Sequence, residues 1–233
     1  KLALDQPAKV AETLAELESH GVVESFVGST ATVHRVRANQ HLAAAYYRNT
    51  IIHFFINRAI TEMALIHVMS EGHEGKLQRA VLNEATRLRD ILKFEFFFSS
   101  TDEFEQEIRN ELVDHDVDLQ QHLDDGDAEA ILKSFPPFVS HAILRPFFEA
   151  YRVVGDIIEE NAYRTGVDKG TVRSEALALG KQYLLQGLVA KAESVSKVLF
   201  ESAMNLADNR GLFRDGPETV SDRQRFAAEL RDA

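Results

Sequence analysis

The first 36 positions contain two hydrophobic patterns that predict different secondary structures. Over residues 7–20, Val10 and Leu14 fall at helical spacing, which predicts a helix that Gly21 can close. Residues 22–36 are instead rich in β-branched side chains on both sides of a Gly-Ser-Thr turn. That composition predicts a small β-hairpin, which is the one strand signal in the chain.

Residues 42–66 form a long apolar stretch that polar side chains interrupt at short intervals. A lipid-facing helix does not tolerate polar groups at this density, so the stretch is more typical of a core helix with a polar seam. We expect a long helix over residues 40–70, broken near Asn57, and no transmembrane helix. The charged, amide and imidazole residues of the stretch are Arg48, Asn49, His53, Asn57, Arg58 and Glu62.

The remaining sequence predicts a succession of helices separated by glycine, proline and acidic turns. Acidic residues within 99–107 favour a helix start there, although Thr101 followed by Phe104 is not a capping box. Pro146 is expected to kink its helix. One predicted helix starts within residues 99–107 and runs to about residue 123. The others cover residues 76–95, 128–133, 138–164, 171–190, 194–209 and 222–231.

These patterns together predict an all-α fold. We expect a multi-helix domain of roughly seven to nine helices, with one small β-hairpin near residues 22–36. Hydrophobic residues make up 45% of the 233 residues, and no cysteine is present, so neither a disulfide framework nor a thiolate metal site is expected. The formal net charge of −11 argues against nucleic acid as a partner.

Metal chemistry is also not predicted. The nine histidines are scattered and show no HExxH spacing, and residues 114–118 lack the glycine and glutamate that would complete a calcium loop. The sequence likewise contains no glycine-rich phosphate loop and no GxSxG nucleophile elbow.

Four segments of the chain carry a family resemblance. They are YYRN (46–49) with the His-Phe-Phe that follows (53–55), LKFEFFF (92–98), LRPFFEAY (144–151) and LLQGLVAKAESVSKVLFESAMNLADNRGLF (184–213). In this order they resemble the region after the catalytic domain in glycerol-3-phosphate acyltransferases of the PlsB type. Dihydroxyacetone-phosphate acyltransferases look similar here. The resemblance covers roughly residues 40–215.

The resemblance implies acyl transfer from acyl-CoA or acyl carrier protein to the sn-1 hydroxyl of glycerol 3-phosphate. The product would be lysophosphatidic acid, at the first step of phospholipid synthesis. In that family the reaction uses no redox cofactor and no metal. A peripheral location at the cytoplasmic face of the membrane, with the membrane surface as a partner, is implied as well.

The family's catalytic motif, a histidine and an aspartate separated by four residues, has one formal match here, at His122 and Asp127. The match lies among further aspartates that would repel phosphate groups, so we interpret it as an acidic helix end and turn. A catalytic role for the two residues is kept as an alternative. The family's phosphate-binding blocks are not found.

We therefore read the chain as the C-terminal part of a longer enzyme whose catalytic domain is absent. Residues 1–36 are expected to form an N-terminal helix and hairpin that connect to that domain, and residues 37–233 a helical C-terminal domain. The chain would support the catalytic domain and be inactive alone. A non-catalytic helical interaction or scaffold domain is the alternative.

Arg48, Asn49 and His53 are the candidates for contact with substrate or with the catalytic domain. The other interpretation is a buried hydrogen-bond network that fixes helix packing. Glu95, surrounded by phenylalanines, is expected to be a buried acid with an arginine or histidine partner, a core turn, or part of a membrane-surface patch. Two i, i+4 ion pairs are also predicted, and these join Arg145 to Glu149 and Arg152 to Asp156.

Overall fold

The computed structural model describes residues 7–29, 31–73, 75–135 and 138–233. It divides into two compact units, Lys1–His53 and Phe54–Ala233. Both units are built mainly from helices, and the first also holds the two-stranded sheet. The predicted all-α class and the small hairpin are therefore confirmed.

The first unit contains the hairpin between two helices. Its strands pair antiparallel, with Val23 opposite Val36 and Val27 opposite Thr32. Gly21 adopts a positive φ of 71° at the end of the first helix, which is the left-handed conformation that glycine accepts most readily. In chain order the elements are α1 (Pro7–Ser19), β1 (Val23–Val27), β2 (Thr32–Val36), a 3-10 turn (Ala38–Gln40), α2 (His41–Ile51) and a 3-10 turn (Ile52–Phe54).

The described residues of the second unit form helices and the segments that connect them. With α1 and α2, it brings the α-helices of the described residues to eleven, more than predicted because two expected helices are each divided into two. The α-helices are α3 (Ile56–Glu71), α4 (Leu77–Leu92), α5 (Thr101–His115), α6 (Leu119–Asp125), α7 (Ala128–Lys133), α8 (Arg145–Glu160), α9 (Lys169–Gln186), α10 (Lys197–Asn209) and α11 (Pro217–Asp232), with 3-10 turns at Ser140–Ile143 and Ala192–Ser194.

Helix α8 lies at the centre of this unit. Eleven of its sixteen residues are buried, and it packs against α9, α10 and α11. Gly155 allows the close approach of α11, because a Cβ atom there would lie 3.1 Å from Leu230 Cδ1. On the other side of the unit, α3 packs against α4, α5 and α7.

Three helix boundaries differ from the sequence prediction. The break in the 40–70 segment falls at residues 52–55 rather than at Asn57, and the helix expected to reach residue 123 is divided at Asp116. Pro146 does not kink a helix. It lies in the first turn of α8, where proline removes no intrahelical hydrogen bond.

Among the described residues, no single helix has both the length and the apolar character needed to cross a membrane. The helical stretches Ala38–Phe54 and Ile56–Glu71 meet those criteria only when taken together.

Candidate functional site

His122 and Asp127, the formal catalytic match, are engaged with different partners. The Nδ1 atom of His122 lies 2.7 Å from Asp116 Oδ2, and this carboxylate raises the pKa of the imidazole. The Oδ1 atom of Asp127 accepts a hydrogen bond from Ala130 N at 2.8 Å and so caps α7. Gly126, in a left-handed conformation, ends α6 between them. The local geometry is that of a helix end and turn.

Arg48, Asn49 and His53 all lie in the first unit, on α2 and the 3-10 turn after it. The Nη2 atom of Arg48 donates a hydrogen bond to Asn49 Oδ1 at 2.9 Å. Asn49 and His53 are exposed, and the neighbouring Tyr46 is 68% exposed. Arg48 is half-buried, so the three candidates lie at or near a surface of the first unit.

Glu95 is mostly buried, as the sequence suggested, but its partners are hydroxyl groups. Tyr151 Oη donates a hydrogen bond to Glu95 Oε1 at 3.3 Å, and the Ser202 hydroxyl is a second partner. Burial without a cationic neighbour raises the pKa of Glu95 to about 7. Phe97, two residues further on, is fully exposed.

One concave feature described in the second unit is a cleft of about 460 Å³. It is bounded by α3, α4, α8, the end of α11, the 3-10 turn Ser140–Ile143 and the segment after α9. This volume lies in the range of small-molecule sites. Its apolar lining includes Met63, Ile66, Leu88, Phe148, Leu188 and Leu230.

A buried carboxylate positions one of the histidines of the cleft. Glu62 is completely buried on α3, and its Oε2 atom accepts a hydrogen bond from His141 N and lies 2.9 Å from His141 Nδ1. The Nε atom of Arg58 donates to Glu62 Oε1 at 3.2 Å. Fixing Nδ1 in this way orients the ring and leaves Nε2 as the nitrogen for other chemistry.

The predicted ion pair between Arg145 and Glu149 is confirmed, with 2.7 Å between Nε and Oε1. Glu149 also accepts a hydrogen bond from the Ser194 hydroxyl at 2.7 Å, which ties the segment after α9 to α8. The predicted ion pair between Arg152 and Asp156 is also present, with a longer distance of 3.8 Å between Nε and Oδ2. Both arginines line the cleft.

Asp156 is held mainly by other residues. Tyr183 Oη donates to its Oδ2 at 2.9 Å, and Arg231 Nε donates to its Oδ1 at 2.8 Å. The Nε atom of Arg152 is buried and has no hydrogen-bond partner among the described residues. A buried donor without a partner is uncommon in folded proteins.

Little in the sequence indicates this cleft. The sequence pattern places Glu62 in a polar seam, and it does not predict the contact with His141 because the two residues are 79 positions apart. The i, i+4 spacings on α8 were the available signal, and they identified the two arginines but not the cavity beside them.

Comparisons with known proteins point to a single family. Residues 2–216 match the family described as "Glycerol-3-phosphate acyltransferase C-terminal region". Three curated relatives, one from Mycobacterium bovis and two from strains of Mycobacterium tuberculosis, are each named "Putative acyltransferase plsB1". Each is 37% identical over 226 residues, which is 95% of this chain and 36% of the relative. The chain therefore spans little more than a third of the length of these relatives.

Proposed function

Because the chain belongs to the glycerol-3-phosphate acyltransferase C-terminal region family, we propose that it is the C-terminal helical part of a glycerol-3-phosphate 1-O-acyltransferase. The observation that carries the proposal is the family match over residues 2–216, supported by relatives named as acyltransferases. The four resembling segments lie inside that range.

The proposed reaction is acyl transfer from a thioester, acyl-CoA or acyl carrier protein, to glycerol 3-phosphate. The sn-1 hydroxyl oxygen attacks the thioester carbonyl, the thiol leaves, and lysophosphatidic acid forms for phospholipid synthesis. We assign this chemistry to a catalytic domain outside the chain. Two contacts support this assignment. His122 pairs with Asp116, and the Asp127 carboxylate caps α7.

The proposed role of the chain is to support that catalytic domain. Arg48, Asn49 and His53 are the proposed contact residues, and the exposure of Asn49 and His53 makes such contacts possible. The membrane surface is a further proposed partner, with the enzyme peripheral at the cytoplasmic face, since both the acyl donor and the product are amphiphiles.

The test is acylation from labelled acyl-CoA, with glycerol 3-phosphate and dihydroxyacetone phosphate as alternative acceptors. The complete protein that carries this chain and the chain alone are assayed side by side. We expect activity with glycerol 3-phosphate in the complete protein only. Activity in the chain alone would contradict the proposal and direct attention to His122, and inactivity of both would favour the helical scaffold.

Two variants of the complete protein refine the assay. Arg48→Ala is expected to lower turnover without lowering the unfolding temperature, because the half-buried Arg48 would act through a contact with the catalytic domain. Arg173→Ala, which removes a partly exposed arginine of α9 that pairs with Glu201, is the matched control. Equal activity of both variants would remove Arg48 from the proposed contact.

A further inference from the structure

The loop between α4 and α5, residues 93–99, places a mostly buried carboxyl group against two helices. The carboxyl group of Glu95 contacts the hydroxyl of Tyr151 on α8 and the hydroxyl of Ser202 on α10. Within the described ranges, no cation is among the groups that act on it. A buried carboxylate without a cationic partner is unfavourable, whereas the protonated acid is tolerated in such surroundings.

We propose that this loop is a pH-sensitive latch, closed on α8 and α10 when Glu95 is protonated and released when Glu95 ionises. The physical reason is the difference in solvation between the two forms of the carboxyl group. The protonated form can remain among hydroxyl groups and phenyl rings, but the carboxylate regains its hydration when the loop moves it towards solvent. This inference concerns the chain itself and does not rest on the proposed acyltransferase reaction.

Aromatic contacts hold the closed loop on either side of its exposed tip. Phe96 packs edge-on against Phe147 of α8, with 5.0 Å between ring centroids, and Phe98 packs against Phe104 of α5 at 5.5 Å. Residues 97–100 belong to no helix or strand. The loop is therefore held by side-chain contacts that can separate while the flanking helices stay formed, and its release would uncover the ring of Phe147.

The charged groups at the two ends of the loop are already paired. Lys93 Nζ donates a hydrogen bond to Asp90 Oδ1 at 2.9 Å. Arg89 Nη2 donates to the backbone oxygen of Ser99 at 2.7 Å. Neither cation is a described partner of Glu95, so no ion pair compensates the carboxylate while the loop is closed.

The groups that face Glu95 from the other packed helices stay neutral near pH 7. On α8 this group is Tyr151, and burial together with the nearby Glu95 raises the pKa of its hydroxyl further above the ordinary value. On α10 it is the Ser202 hydroxyl, and the neighbour on α5 is Phe104, which contacts Phe98. Burial raises the pKa of Glu95 itself to about 7, so among these described groups it is Glu95 that changes charge near neutral pH.

The experiment is amide hydrogen exchange of the 233-residue chain, followed by NMR between pH 5 and pH 8 and corrected for the intrinsic rate at each pH. The amides of Glu95 and Phe96, which donate to Leu92 O at 2.9 and 3.2 Å, report on the loop. The amide of Val154, buried in α8, reports on unfolding of that helix. We expect protection of the two loop amides to fall about tenfold or more between pH 5 and pH 7 and then to level off, because release of the loop also releases the proton of Glu95. Protection that is independent of pH, or equal to that of Val154 throughout, would overturn the proposal.

Three variants assign the pH dependence to Glu95. Glu95→Gln keeps the size of the side chain but cannot ionise, so protection of the loop amides should no longer change between pH 5 and pH 7. Glu160→Gln removes an exposed carboxylate at the end of α8 and should keep the pH dependence of the unaltered chain. Tyr151→Phe removes a hydroxyl that favours the ionised form of Glu95, so the fall in protection should extend above pH 7.

Thermal unfolding of each variant shows whether it is folded before exchange is compared. If folded Glu95→Gln keeps the pH dependence of the unaltered chain, another group causes it and the latch is wrong. If Glu95→Gln does not fold, Tyr151→Phe decides: an unchanged pH profile rejects the latch, and a profile displaced to higher pH supports it. These results stand apart from the acylation assay, which reports on the complete protein.

Discussion

The polar residues of this chain derive their roles from their immediate neighbours. Asp127 is one half of a formal catalytic spacing, yet its carboxylate caps α7 by accepting from Ala130 N. Glu95 is a carboxyl group whose only described partners are the hydroxyl groups of Tyr151 and Ser202, so burial dominates its pKa. The same residue type therefore acts as a cap in one place and as a largely desolvated acid in another.

The cap at Asp127 leads to a prediction about stability. Asp127→Ala should lower the free energy of unfolding by about 1 kcal/mol, because an N–H group at the start of α7 loses its acceptor. Asp127→Asn should retain most of the stability, since the amide oxygen can still accept. Urea unfolding of the three proteins measures this, and equal stability of the alanine variant would show that the cap contributes nothing.

Glu95 leads to a prediction about pH. Its pKa is raised to about 7, so the folded state binds this proton more tightly than the unfolded state does. The contribution of Glu95 to stability is thus complete below its unfolded pKa and is lost as the pH rises through about 7. Glu95→Gln should therefore gain stability relative to the unaltered chain between pH 5 and pH 8, by on the order of 2 kcal/mol.

The measurement is urea unfolding of Glu95→Gln and the unaltered chain at both pH values. Glu160→Gln, which removes an exposed carboxylate at the end of α8, is the control. A stability difference between Glu95→Gln and the unaltered chain that stays constant from pH 5 to pH 8 would show that Glu95 is not titrating in this range.

At the scale of elements, helix interiors follow the sequence pattern more closely than helix ends do. The stop at Gly21 and the position of the hairpin agree with local signals. The start of α5 shows how a local signal can be misread by one position. Thr101 and Phe104 are not a capping box, but Ser100 and Glu103 are, with both reciprocal hydrogen bonds present. This S-x-x-E spacing is readable in the sequence.

The capping box predicts an unequal effect of two neighbouring substitutions. Ser100→Ala should reduce the free energy of unfolding by about 1 kcal/mol, because Glu103 N loses its acceptor and Glu103 loses its hydroxyl partner. Thr101→Ala, at the next position, should change it by less than about 0.5 kcal/mol. Chemical unfolding of both variants tests this, and equal losses would contradict the assigned cap.

At the scale of the second unit, the packing around α8 depends on residues far apart in sequence. Arg223 of α11 is 2% exposed and donates to backbone carbonyls at the end of α8 and after α10. Its Nη1 atom alone contacts the carbonyl oxygens of Asn161, Ala162 and Arg164. One guanidinium group thereby supplies hydrogen-bond donors to backbone carbonyls of chain segments that approach each other only in the folded unit.

Removing this guanidinium should be costly. Arg223→Met keeps an unbranched side chain but leaves several buried carbonyls without a donor, and it should lower the free energy of unfolding by about 3 kcal/mol. Arg225→Met, two positions on and largely exposed, should change it by less than about 0.5 kcal/mol. Thermal and urea unfolding measure the loss of unfolding free energy in each variant. Similar losses for Arg223→Met and Arg225→Met would refute the role of Arg223.

The sequence by itself determined the features that depend on short-range order. Hydrophobic period and punctuation predicted the all-α class and the hairpin, and the ordered segments between residues 46 and 213 indicated the family. These signals are local because a helix, a turn or a cap is formed by residues within a few positions of one another.

Only the tertiary structure decided which distant groups meet. It brought His141 to Glu62 across 79 positions, gave Glu95 a tyrosine instead of a cation, and left the Nε atom of Arg152 buried beside a cleft. Such pairings depend on how helices pack. If a helix turns about its own axis by the angle of one residue, a different face becomes buried. The hydrophobic period of the sequence does not change.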